Sequence, residues 1–109
     1  MKKTTLQWAL CAALTSTGAH AAAQTLADTG AGQKRAAVCA ACHGIDGQSR
    51  NPAYPHLTGQ QREYLEKQLR DFRDGRRVDP TMTAMAKPLS DADIRNIAAY
   101  YYGVSVGRR

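Results

Sequence analysis

Three residues with reactive side chains, Cys39, Cys42 and His43, stand close together in the chain. Two thiols separated by two residues and followed at once by an imidazole have the C-x-x-C-H spacing of covalent c-type haem attachment. In that chemistry each thiol forms a thioether with a porphyrin vinyl group, and the adjacent imidazole binds the iron. The spacing predicts one haem fixed at Cys39 and Cys42, with His43 as an axial ligand.

Other kinds of site also use two cysteines at this spacing. A thioredoxin-like redox pair belongs to a βαβ pattern, which this sequence does not show. A zinc site needs four ligands, and besides the two cysteines and His43 the predicted exported part offers only His56 among its histidines and cysteines, unless His20 is retained. A structural disulfide is the remaining alternative. Haem attachment is favoured because the adjacent histidine, the helical pattern and a predicted export signal all agree with it.

The ligand opposite His43 decides what such a haem can do. One protein ligand leaves the iron open to small molecules, whereas a second strong ligand suits an electron carrier. The candidates are Met82 and Met85, which lie in a stretch, 76–89, that we interpret as an irregular loop. Methionine is usually core filler. Few other apolar residues lie near Met82 and Met85 in this stretch. Iron ligation by at least one of the two methionines is therefore favoured over core packing.

Helical segments flank these residues and must position them. A helix from Gly32 to Ala41 is predicted to enter the cysteine motif, and an irregular loop follows from Gly44 to Thr58. Apolar residues at three- and four-residue spacing predict the clearest amphipathic helix from Gln60 to Asp74. Loops of this length in a compact domain usually serve a function or are disordered.

A last helix is predicted after Ser90, where a cap residue precedes an acidic first turn. Gly103 is predicted to end it. Its apolar face is predicted to hold Ile94, Ile97, Ala98 and Tyr101. No segment alternates apolar and polar residues for long enough to form a strand. The fold is therefore predicted to be all-α, with three main helices and two long loops.

The N-terminal residues have the composition of a secretory signal peptide. Lys2 and Lys3 form a basic region, an apolar stretch runs from Leu6 to Leu14, and small residues follow. The apolar stretch is shorter than the roughly 20 residues that span a bilayer, which argues against a retained anchor. We expect cleavage after Ala21 or Ala23 and a periplasmic mature form that does not span a membrane.

The whole chain suits one small domain with a mildly basic surface. Its 109 residues are 43% hydrophobic and 22% charged, and removing Lys2 and Lys3 lowers the net charge of +6 by two. Basic and acidic residues are interleaved over 62–77, which is typical of a solvated helix face rather than a nucleic-acid surface. The basic surface favours acidic protein partners. The predicted organisation is a signal peptide at 1–21, a flexible connector at 22–31 and one domain at 32–109.

The chain resembles the small bacterial class I cytochromes c, including the single-haem carriers and each half of the di-haem periplasmic ones. The resemblance covers nearly the whole exported part. It runs through Ala31-Gly32-Gln33, Cys39 to Gly44, Tyr54 to Gln60, Gln68 to Phe72 with Gly75, Met82 to Met85, Leu89-Ser90-Asp91 and Ile97 to Tyr100. It implies the cytochrome c fold around one covalently attached haem c.

The resemblance also implies roles for single residues. Cys39 and Cys42 carry the thioethers and His43 is the proximal ligand. The carbonyl oxygen of Pro55 accepts the ring N–H of His43, a contact that fixes the tautomer and orients the imidazole.

Family members place the distal methionine seven positions before the leucine of the Leu-Ser-Asp cap, which selects Met82 over Met85. They also pack the first helix across the last at a small residue, which implies that Gly32 contacts Tyr100 or Tyr101.

One departure from many larger relatives is the absence of a tryptophan once Trp8 is removed. Gln60, Arg73 or a tyrosine could contact a haem propionate in its place.

The predicted function is that of a periplasmic one-electron carrier, not an enzyme, with His43 and Met82 closing both sides of the iron. Its partners are expected to be redox proteins met through small, transient contacts, and the chain could be a monomer or a subunit. One alternative is the electron-transfer subunit of a periplasmic dehydrogenase or oxidase complex. The other is a haem sensor with an open distal site, which the two methionines argue against.

Overall fold

The computed structural model describes residues 26–107, so the predicted signal peptide lies outside the described residues. Five helices follow one another: α1 (Thr29–Arg35), α2 (Ala37–His43), α3 (Arg62–Arg73), α4 (Pro80–Ala86) and α5 (Asp91–Val106). The described residues contain no strand, and the predicted all-α fold is confirmed. None of these helices has the length and apolar character needed to cross a membrane.

The helix predicted at Gly32 to Ala41 begins earlier and consists of two abutting helices. The side chain of Asp28 accepts a hydrogen bond from the Ala31 N–H at 2.9 Å, so α1 begins at Thr29, within the predicted connector. Ala36 joins α1 to α2, is fully buried, and still donates its N–H to the Gly32 carbonyl at 2.8 Å. Helix α2 then carries the chain through the cysteine motif.

The crossing of α1 over α5 depends on Gly32. A Cβ atom at this position would stand 2.0 Å from the Asn96 carbonyl oxygen and 3.1 Å from the Tyr100 Cβ. The predicted contact of Gly32 with Tyr100 is therefore confirmed. The Asp28 N–H donates to Asn96 Oδ1 at 2.9 Å beside this crossing. Together these contacts hold the start of the motif-bearing helices against α5.

Helix α3 lies close to its predicted bounds. It begins after Gln61 and ends at Arg73, and Gly75 turns the chain away with a φ of +80°. Leu65 and Phe72 are buried, as expected for its apolar face. Helix α3 packs against both α4 and α5 and so forms the platform between them.

The prediction of an irregular loop at 76–89 is wrong, because α4 lies within it. Asp79 caps this helix: its Oδ1 accepts hydrogen bonds from the N–H groups of Thr81 at 3.0 Å and Met82 at 2.8 Å. Pro80 follows in the first turn, where its missing N–H costs nothing. This Asp-Pro pair is the sequence signal that could have identified α4.

Helix α5 shows its predicted face, and Gly103 does not end it. The buried residues of that face are Ile94, Ile97, Ala98 and Tyr101. Ser90 and Asp93 form a capping box at the start. The helix continues to Val106 because Ser105, beyond Gly103, is buried and accepts the Gly59 N–H through its Oγ at 2.9 Å.

Two segments without long helices connect this frame. Residues 44–61, between α2 and α3, are called the proximal loop, and residues 74–90, between α3 and α5 and including α4, are called the distal segment. Helix α5 packs against α1 and α3, whereas the backbone of α4 comes close to that of α3 alone among the described helices. Helix α2, which carries the cysteine motif, likewise comes close to α1 alone.

Candidate haem-binding site

The two thiols and the imidazole share one side of α2. Cys42 lies three positions after Cys39, and His43 lies four positions after Cys39. Residues at these spacings share one face of a helix. Both cysteines are half-buried and free of any disulfide. Burial raises the pKa of the Cys39 thiol. Both sulfur atoms are thus available for thioether bonds.

His43 is buried, with 7% of its surface exposed, and its Nδ1 lies 2.9 Å from the carbonyl oxygen of Pro55. A carbonyl oxygen can only accept a hydrogen bond, so Nδ1 carries the proton and the Nε2 lone pair is left for a metal. This is the contact that the resemblance implied. The ring of Tyr54 meets the ring of His43 edge-on, with 6.3 Å between centroids and 63° between planes.

The proximal loop reaches His43 by closing on Gly47. The carbonyl oxygen of Gly47 accepts the N–H groups of Leu57 at 2.8 Å and Thr58 at 3.0 Å. Gly47 has a φ of +76°, and a Cβ there would stand 2.8 Å from the Thr58 nitrogen. Only glycine fits such a closure, which places Pro55 within the closed loop.

A second set of contacts ties the proximal loop to the end of α2. The Ser49 N–H donates to His56 Nδ1 at 2.9 Å. The Ser49 hydroxyl lies 3.0 Å from the carbonyl oxygen of Cys42 and 2.8 Å from that of Asn51. His56, considered from the sequence as a metal ligand, instead holds the loop next to Pro55. No short-range sequence signal identifies these contacts.

Two tyrosines of α5 fix the first residues after the motif. The Tyr100 hydroxyl donates to the Ile45 carbonyl at 2.6 Å, and the Tyr101 hydroxyl donates to the Gly44 carbonyl at 3.4 Å. Burial raises the pKa of Tyr101. The family resemblance implies a contact of one of these rings with Gly32, but no sequence pattern indicates the hydrogen bonds of the two hydroxyl groups.

The two methionines of α4 occupy different environments. Met82 is half-buried, packs against the hydrophobic core and lies close to His43. Met85 leaves 38% of its surface exposed. The backbone N–H of Met82 is also held by the Asp79 cap. Burial and position thus favour Met82 as the residue that approaches the site.

Arg73, considered above for a propionate, has its guanidinium engaged elsewhere. It bonds the carboxylate of Asp74 through Nε at 2.8 Å, and through Nη1 it reaches the Leu89 carbonyl at 3.2 Å and Asp91 Oδ1 at 2.8 Å. These contacts raise the pKa of Arg73 and lower the pKa values of Asp74 and Asp91.

The residues present fit a covalently attached haem. The helix face offers two free thiols and an imidazole whose tautomer leaves Nε2 for iron, and α4 brings a thioether close to it. Leu57 and Leu69 are half-buried apolar neighbours of the same core. The donor set of thiol, imidazole and thioether is that of c-type haem ligation.

Comparison with known proteins agrees with this reading of the site. The family model described as Cytochrome c matches residues 27–101. The chain belongs to the cytochrome c family. Membership implies a covalently attached haem c, for which Cys39 and Cys42 have the required spacing.

The chain is similar to both long and short relatives. Cytochrome c4 of Pseudomonas aeruginosa is 46% identical over 84% of this chain, which spans only 46% of that protein. Cytochrome c-554(548) of Halomonas halodenitrificans is 51% identical over 68% of this chain, and the match covers 93% of that protein.

A solved structure, that of reduced recombinant cytochrome c4 from Pseudomonas stutzeri, is also similar to this chain. It shares 46% identity with a TM-score of 0.65, over 70% of this chain and 45% of that one. The chain therefore spans about half the length of the cytochrome c4 relatives that it matches.

Proposed function

We propose that the chain is a periplasmic one-electron carrier in which His43 and Met82 bind the iron of a haem c held at Cys39 and Cys42. The observation that carries the proposal is the buried His43 with Nδ1 on the Pro55 carbonyl, directly after two free thiols. The haem supplies reversible exchange of one electron at its iron. The residues of the chain decide how stable each oxidation state is.

The contribution of His43 depends on Pro55. Because the Pro55 carbonyl accepts the Nδ1 proton, the imidazole is held in one tautomer and its Nε2 becomes a stronger donor. The ring is also kept from rotating by Tyr54 at its edge. A ligand held in one orientation changes little between oxidation states, which suits rapid electron exchange.

The contribution of Met82 is a soft thioether donor, which favours the ferrous state and raises the reduction potential. The Asp79 cap and the core contacts limit the positions open to its side chain. With His43 and Met82 both bound, small molecules such as oxygen and peroxide have no open coordination position. This argues for a carrier rather than a sensor or an enzyme.

The composition of the chain supports the proposed export and the proposed partners. The N-terminal residues have the pattern of a secretory signal. The mildly basic chain would meet acidic redox proteins through small contacts whose rates depend on salt. The chain spans about half the length of cytochrome c4. The proposed carrier function is compatible with a free monomer and with a subunit of a larger complex.

A reductive titration combined with carbon monoxide binding tests this function. We expect the mature holoprotein to take up one electron per chain and its ferrous form to bind carbon monoxide slowly, at a rate set by departure of Met82. Met82→Ala should bind it rapidly, whereas the control Met85→Ala should behave as wild type.

Rapid binding by wild type would contradict the closed site and favour a sensor. A stable complex that forms at native salt would identify the subunit form.

A further inference from the structure

We infer that Arg73 is a positioning residue that joins the two ends of the distal segment and so holds Met82 toward the iron. The inference rests on the proposed ligation by Met82 and adds a residue that does not itself touch the haem. The contacts at the two ends of the distal segment and the packing of α4 carry it.

The first end of the distal segment is tied back onto α3. Arg76 donates through Nε to Asp71 Oδ1 at 2.8 Å, and the Arg77 N–H donates to the Asp71 carbonyl at 3.0 Å. The Arg77 guanidinium also lies 4.6 Å from the centroid of the Phe72 ring. The chain is therefore fixed where it leaves α3.

The second end is held by Arg73, which lies on the same turn of α3. Its Nη1 reaches the Leu89 carbonyl and the Asp91 carboxylate, residues 16 and 18 positions further along the chain. Its Nε and Nη2 bond the two oxygens of Asp74, the first residue of the distal segment. One guanidinium therefore binds both ends of the segment that carries Met82.

The packing of α4 explains why this clamp matters. The backbone of α4 comes close to that of α3 but not, among the described helices, to that of α1, α2 or α5. Ala86 and Leu89 anchor its C-terminal side in the core. The Arg73 contact with Leu89 therefore links the exit of α4 to α3 and to the first turn of α5. Without this contact, the distal segment is held at its first end, by the packing of α4 on α3 and by the core contacts of Met82, Ala86 and Leu89.

Exogenous imidazole, which competes with Met82 for ferric iron, is the probe that tests this role. Its affinity for the mature holoprotein measures how firmly Met82 is held, and the sulfur–iron charge-transfer band reports the competition directly. We expect Arg73→Gln to bind imidazole about tenfold more tightly than wild type, because charge-assisted bonds at one end are lost. Arg73→Lys, which keeps the charge with fewer donors, should lie between the two.

The matched control is Arg70→Gln. Arg70 also lies on α3 and loses the same charge, but it bonds Glu66 within that helix, at 3.1 Å, and acts on Asp91 only through its charge, without a hydrogen bond to it. We expect its imidazole affinity to stay within about twofold of wild type. If Arg73→Gln is too unstable to purify, Asp91→Asn removes the negative charge from one acceptor of the clamp and should raise the affinity about threefold.

Two failures can be told apart. A wild-type protein with no sulfur–iron band, or a Met82→Ala variant that keeps it, overturns the proposed ligation and this inference with it. A normal band combined with equal imidazole affinities for wild type, Arg73→Gln and Asp91→Asn overturns the inference alone. An equal increase in Arg73→Gln and Arg70→Gln also overturns it, because a general effect of charge or stability would then explain the result.

Discussion

The proximal loop and the distal segment are held by different kinds of bond. The bonds that close the proximal loop join mainly uncharged groups, such as the Gly47 carbonyl with two backbone N–H groups and the Tyr100 hydroxyl with the Ile45 carbonyl. The ends of the distal segment are joined by ion pairs of Arg73 and Arg76 with nearby carboxylates. Surface ion pairs weaken with salt and acid, whereas buried neutral bonds do not.

This difference predicts which axial ligand of the iron is exchanged first. The proximal loop keeps His43 in one orientation under most conditions, because its closure depends on backbone geometry. The distal segment depends on charges that solvent can reach. We therefore expect exchange of the axial ligand to occur on the Met82 side.

Of the variants proposed for the two segments, Gly47→Ala should destabilise the protein most. Gly47 has a φ of +76°, and a Cβ there would stand 2.8 Å from the Thr58 nitrogen. We expect the free energy of unfolding in denaturant to fall by about 3 kcal/mol, from backbone strain and steric overlap together.

Gly75→Ala in the distal segment is the matched control for Gly47→Ala. Its φ is +80°, but nothing lies within 4 Å of an added Cβ. We therefore expect the free energy of unfolding to fall by about 1 kcal/mol. Equal losses at the two glycines would contradict the tighter packing of the proximal loop.

Tyr100→Phe should remove one proximal contact with a smaller effect. The Tyr100 hydroxyl donates to the Ile45 carbonyl at 2.6 Å, and its loss leaves a partly buried carbonyl without this donor. We expect thermal and denaturant unfolding to report a loss of about 1 kcal/mol. Tyr102→Phe is the control, because Tyr102 leaves 41% of its surface exposed on the same helix. A comparable loss of unfolding free energy in both variants would show that the hydrogen bond of the Tyr100 hydroxyl does not stabilise the fold specifically.

Acid should release the distal segment before the fold is lost. Ion pairing with Arg73 lowers the pKa values of Asp74 and Asp91 below the ordinary value of 3.8. Groups with lowered pKa values in the folded state add stability above the ordinary value, and that stability is lost as the pH falls below it. We therefore expect the sulfur–iron band of the ferric protein to fade below about pH 4, while the far-UV circular dichroism persists.

The double variant Asp74→Asn/Asp91→Asn supplies the control for the acid titration. Its band should be weaker at neutral pH and change less on acidification, because the two titrating partners are gone. Simultaneous loss of the band and of helicity in wild type would count against separate release of the distal segment.

Salt should have the smallest effect on ligand binding. It should weaken the ion pairs of the distal segment and leave the proximal loop unchanged. In about 1 M sodium chloride we expect imidazole to bind ferric wild type about twofold more tightly, because the partly exposed ion pairs are screened. Arg73→Gln should show almost no further change. The same salt dependence in both proteins would mean that these ion pairs do not hold Met82.

The sequence alone predicts the parts of the site whose residues lie close together in the chain. Cys39, Cys42 and His43 define the attachment chemistry by themselves, and the apolar face of α5 follows from its periodicity. Pro55 and the choice of Met82 over Met85 required the family resemblance, because neither residue type indicates its role alone. The structure then showed the Pro55 contact and the different burial of the methionines.

Other features could not be predicted because they depend on residues far apart in the chain. Helix α4 was the exception, since Asp79 and Pro80 signal its start. The continuation of α5 past Gly103 depends on a bond from Gly59 to Ser105, 46 positions away. The contacts of Arg73 with Leu89 and Asp91 likewise exist only once α3 and α5 are packed together.

The optical spectrum of the ferric protein, matured by a haem-attachment system, decides whether Met82 binds the iron opposite His43. Wild type and Met85→Ala should both show the sulfur–iron charge-transfer band, and Met82→Ala should lack it while keeping its covalently attached haem. Loss of the band only in Met85→Ala would contradict the assignment of Met82. A colourless wild-type protein despite competent maturation would contradict the haem site at Cys39, Cys42 and His43.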